Sequence, residues 1–135
     1  MILVQCLIKK YILIKLCIYL RGDKFYIWNE DYKELDFDEV ESFINDMDEV
    51  KGTNSSLIAE IANIEKNNNF EHLVIVTNGE VTNDEIDKSD SKFKEYNLHF
   101  SFVSTFIIKT GNQVLNESLG CPYLRNYPGF TYIID

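Results

Sequence analysis

A chain of 135 residues, 45% of them hydrophobic and 13% aromatic, is the size of one domain with a sizeable core, which excludes disorder of the whole chain. The net charge of −9 arises in one segment, because residues 29–50 hold ten acids and one base. The remainder is balanced, so no basic field exists to attract nucleic acid phosphates.

Three cysteines, Cys6, Cys17 and Cys121, form neither a CxxC pair nor a disulfide framework, and read as reduced thiols of a cytoplasmic protein. Residues 1–21 are an atypical apolar segment of the single domain spanning 1–135. Ile2–Ile8 suits a buried strand, and Tyr11–Leu20 suits a short apolar helix or a second strand, since periodicity fits both. Lys9, Lys10 and Lys15 interrupt the apolar run in three directions at helical spacing, which argues against a membrane span. The segment also lacks the charged start and the small-residue cleavage site of a signal peptide.

Arg21-Gly22-Asp23 is a turn before a strand at Lys24–Trp28, and the acidic loop Asn29–Leu35 follows. Over Asp36–Met47, the residues Phe37, Val40, Phe43, Ile44 and Met47 form a helical stripe, with the acids on solvated faces. Gly52-Thr53-Asn54 breaks that helix. Ser55–Lys66 starts another on the stripe Leu57, Ile58, Ile61 and Ile64, and Asn67-Asn68-Asn69 turns the chain into a strand at His72–Thr77. Asn83–Tyr96 is a polar helix whose clear apolar contacts are Ile86 and Phe93. Leu98–Ile108 and Phe130–Ile134 are the last strands. Strands alternating with helices imply parallel crossovers, so the expected class is α/β: a Rossmann-like three-layer α/β/α arrangement around a mostly parallel central sheet.

The turn Thr77-Asn78-Gly79-Glu80 ends an apolar strand, and open α/β sheets hold ligands at such carboxyl ends. Taken with Gly52-Thr53-Asn54, which opens a helix, it resembles in order and separation the von Willebrand factor A (vWA) domain, over roughly residues 22–134. In that family a GT-type loop supplies a threonine and a T-D-G-like turn an aspartate to a metal-ion-dependent adhesion site. The remaining ligands come from an Asp-x-Ser-x-Ser loop after the first, central strand. The resemblance implies that Thr53 and Asn78 are the vestige of a metal site, and that Thr53, Asn54, Asn78, Gly79 and Glu80 form a partner-binding edge.

The match is partial. Asn78 brings an uncharged amide where the family has a carboxylate. The Asp-x-Ser-x-Ser loop is absent, because no Asp precedes Asp23 and no Ser precedes Ser42. Mg²⁺ dehydrates reluctantly and needs anionic oxygen, so Mg²⁺ is expected to bind weakly if at all, with no other cofactor. Two arrangements stay open at the amino terminus. Either Ile2–Ile8 fills the central slot with Tyr11–Leu20 as its crossover helix, or the chain is a shortened form that keeps only a remnant of that helix.

Other chemistry has less support. Cys121 stands near Arg125, with His72 and His99 as candidate bases, but no spacing ties either histidine to the thiol. Phosphate loops of the GxGxxG or GxxxxGK type do not occur. Phe130 and Tyr127, beside Gly129, are candidates for an exposed aromatic contact. The expectation is therefore a non-enzymatic domain that binds an unidentified protein partner. A cysteine-dependent or weakly cation-dependent enzyme, and a truncated copy without independent function, are the alternatives.

Overall fold

The β-branched run Leu73–Val76 forms the core of a strand, His72–Thr77, that is buried from its second residue to its last. In a computed structural model, which describes residues 1–5, 24–28, 30–46, 57–78, 82–108 and 128–134, this strand is one of six. They are β1 (Ile2–Gln5), β2 (Phe25–Trp28), β3 (Tyr32–Leu35), β4 (His72–Thr77), β5 (Phe102–Ile108) and β6 (Gly129–Ile134). The helices are α1 (Val40–Asp46), α2 (Leu57–Ile64) and α3 (Asn83–Glu95), with short 3-10 turns at Phe37–Glu39 and Lys66–Asn68.

The strands form one sheet in the order β3-β2-β1-β4-β5-β6. Every neighbouring pair is parallel except β2 with β3. The protein is thus an α/β domain with a mostly parallel, Rossmann-like sheet. β1 lies between β2 and β4, so Ile2–Gln5 fills the central slot; the proposed crossover segment Tyr11–Leu20 lies outside the described residues.

Side chains alternate between the two faces of a strand, and the register sorts them. Leu3 pairs with Ile75 and Tyr26, and Leu73 with Val103, so these share a face. That face packs against Ile58, Ala59, Ile61 and Ala62 of α2 and Phe93 of α3 in one apolar cluster. On the other face Ile2, Phe25, Ile27 and Val76 are buried too, so the sheet is a middle layer, as parallel sheets require.

Three local features depart from the sequence expectation. First, Tyr32–Leu35 is not loop but strand, antiparallel to β2. It is an edge strand with only Leu35 buried, so its exposed Lys33 and Glu34 give it the composition of a loop; such charges also discourage edge pairing. Second, α2 turns Ile58 and Ile61 of its expected stripe inward, with Leu57 packed against the same core, but Ile64 is 54% exposed and Ala59, Ala62 and Glu65 are buried instead. The two alanines let the helix lie close to the sheet, and an apolar count that favours large side chains overlooks them.

Third, β5 starts at Phe102 instead of Leu98. Asn97 takes a left-handed backbone, φ 53°, and the amides of Asn97 and Leu98 donate to the carbonyls of Lys94 (3.0 Å) and Phe93 (3.1 Å). This Schellman closure ends α3 and turns Leu98 into the core beside Phe93. At its other end α3 opens with a capping box, in which Glu85 N–H donates to Thr82 Oγ1 (3.2 Å) and Thr82 N–H to Glu85 Oε2 (2.8 Å). Ile86 and Phe93 are buried on its inner side, as its sequence indicates.

Candidate functional site

The carboxyl edge of the sheet is organised by a change of direction in strand order. From β1 the sheet runs outward through β2 to β3 on one side, and through β4 to β6 on the other. Chain connections diverge at such a switch point and leave a crevice beyond the strand ends, which is where open α/β sheets bind ligands. β4 delivers Asn78 to this place. Thr77 is the last paired residue, opposite Ile107, and is buried; Asn78, the next residue, is half-buried.

Of the five partner-edge residues, Asn78 alone is among the described ones. Thr53, Asn54, Gly79 and Glu80 lie outside them, as do all three cysteines and Tyr127. Asn78 is a neutral amide, and among the described residues no three His, Cys, Asp or Glu side chains come together. The sequence that follows β1, Cys6-Leu7-Ile8-Lys9-Lys10, carries a thiol and two ammonium groups and no carboxylate.

The histidines are elsewhere. His72 Nε2 lies 2.7 Å from Ser104 Oγ, and its ring meets Phe102 edge-on at 5.3 Å. Burial first, and then the Met1 ammonium, hold its pKa below the usual histidine value. Ser104 is buried in the middle of the sheet, and His72 is exposed at the start of β4. Phe130 is 39% exposed, as its position suggested, and its ring packs against Phe102 and Phe106 on the same face.

The sequence reading missed a polar cluster at the opposite, amino edge. Glu65 is 6% exposed, and it accepts hydrogen bonds from Tyr26 Oη at Oε1 and from Asn68 Nδ2 at Oε2. Lys24 Nζ lies 3.7 Å from Oε1 and 2.7 Å from Glu34. Burial pushes the Glu65 carboxyl up, but these hydrogen bonds and the Lys24 charge outweigh it and hold the group below the usual carboxylate range. The Tyr26 hydroxyl is pushed up by burial and by its bond to Glu65. One signal was available in sequence: Glu65 lies seven residues after Ile58, on the stripe that α2 buries.

A second polar link joins α2 to α3. Glu60 Oε1 accepts from Lys92 Nζ and from Tyr96 Oη, the latter at 2.8 Å. The Lys92 bond first, and then the Tyr96 bond, hold Glu60 below the usual carboxylate range.

Fold and edge together define a Rossmann-like α/β domain with a polar, uncharged residue at its switch point. No protein-family model matches the chain, and no curated protein does. No helix among the described residues is long and apolar enough to cross a membrane.

Proposed function

We propose that the protein is a non-enzymatic interaction domain of vWA type whose metal-dependent adhesion site is impaired, and that a protein partner binds at the carboxyl edge around Thr53, Asn54, Asn78, Gly79 and Glu80. The observation that carries this reading is the position of Asn78, at the end of β4 and at the switch between β1 and β4. The central placement of β1 supports it as well, because the family's first strand occupies that slot. Recognition then uses hydrogen bonds to amide and backbone groups instead of a metal-bridged carboxylate.

The test is affinity capture of a partner followed by quantitative binding to Asn78→Ala. The variant should lose at least tenfold in affinity, equivalent to about 1.4 kcal/mol, with its thermal unfolding unchanged. Unaltered affinity would remove Asn78 from the interface. The enzyme alternative predicts stoichiometric labelling of Cys121 by a thiol reagent at neutral pH, or a rise in Tm with Mg²⁺; the interaction reading predicts neither.

A further inference from the structure

The amino edge carries a concave feature unrelated to the partner edge. A cavity of about 140 Å³ opens there beside the starts of β1, β4 and β5. Ala62, Phe70 and Leu98 contribute apolar wall, and Glu65 is the carboxylate that lines it. The size sets the class of occupant: a dry engineered cavity of about 150 Å³ holds one benzene ring, whereas drug-sized ligands need several hundred Å³.

The chemistry narrows it further. An ionised carboxylate offers about four lone-pair sites, and Tyr26 and Asn68 account for two of those on Glu65. Acceptor capacity therefore remains. Lys24 lies close enough to offset the Glu65 charge, so the site asks for a hydrogen-bond donor and does not require a cation. Its two walls are also fastened before any ligand arrives. Lys66 Nζ donates to the Tyr96 carbonyl at 2.6 Å, linking the turn after α2 to the end of α3. The rim residues Asn69 and Asn97 both hold left-handed backbone, φ 52° and 53°.

We propose that this cavity is a binding site for a neutral, single-ring molecule bearing a hydrogen-bond donor, such as a phenol or an aniline, with its ring against the apolar wall and its donor on Glu65. The site is independent of the partner edge, so Asn78→Ala leaves it intact. The test titrates phenol and benzene separately into the methyl-labelled full chain and follows the methyl resonances of Met1, Ala62 and Leu98. Phenol should shift them saturably and bind at least about tenfold more tightly than benzene, as a hydrogen bond to a charged acceptor implies. Glu65→Gln should reduce that preference severalfold while benzene binding persists. Absence of saturable shifts in the wild-type chain, or equal affinity for phenol and benzene, would overturn the proposal whether or not the variant folds.

Discussion

Glu65 shows how one residue constrains its surroundings. A buried carboxylate is tolerated because Tyr26 and Asn68 donate to it, and removing the Tyr26 hydroxyl deletes a hydrogen bond to a charged acceptor. Tyr26→Phe should therefore lower stability at neutral pH by about 1–3 kcal/mol, read as a shift of the urea midpoint. Glu65 has a folded pKa below its unfolded value, so its stabilisation is present above the unfolded value and is lost as pH falls through the folded one. The difference between Tyr26→Phe and wild type should accordingly shrink under acid. At the other edge, Asn78→Asp introduces one carboxylate at the end of β4. Its Tm should not respond to millimolar Mg²⁺, and a clear rise would show that other oxygen donors converge there.

At the scale of elements, α2 and α3 depend on different forces. α2 is held by burial: Ile61 is fully enclosed while Ile64 faces solvent. Ile61→Ala should cost about 2–5 kcal/mol, whereas Ile64→Lys should stay within about 0.5 kcal/mol. The reverse ranking would mean that Ile64, and not Ile61, faces the core. α3 is polar over most of its surface, so its ends matter more. Thr82→Ala breaks the capping box and should cost about 1 kcal/mol, with hydrogen exchange accelerating first in the amides of the first turn. The opposite sheet edges also differ: β3 exposes Lys33 and Glu34, while β6 exposes Phe130, Tyr132 and Ile133.

For the whole molecule, the shifted groups among the described residues that titrate on the acid side of neutrality act in the same direction. His72, Glu60 and Glu65 all have folded pKa values below their ordinary ones, so the unfolded chain binds more protons as pH falls, and stability declines with it. The decline should begin near the ordinary histidine value of about 6.5 and steepen through the glutamate range near about 4.3. Acid also relieves repulsion within the 29–50 cluster, but at physiological ionic strength a screening length of about 8 Å weakens that opposing effect. Urea midpoints measured at successive pH values check the sign. His72→Gln should flatten the first part of the profile.

Much of the architecture is legible in residues that settle their own conformation. The apolar β-branched run of β4, the spacing of Ile86 and Phe93 in α3 and the alternation of strands with helices all depend on neighbours a few positions away, and they define the α/β class without any tertiary information. The polar turn at Asn78 can be placed at a strand end for the same reason. Tertiary structure alone decides that Tyr32–Leu35 is a strand, that α2 turns its alanines and Glu65 inward, and that β1 is central. Each of these depends on a partner remote in sequence: β3 needs the exposed edge of β2, β1 needs β4, and Glu65 needs the hydroxyl of Tyr26, 39 residues away. A sequence displays local periodicity directly, but edge pairing and the burial of a charge exist only once distant segments have met.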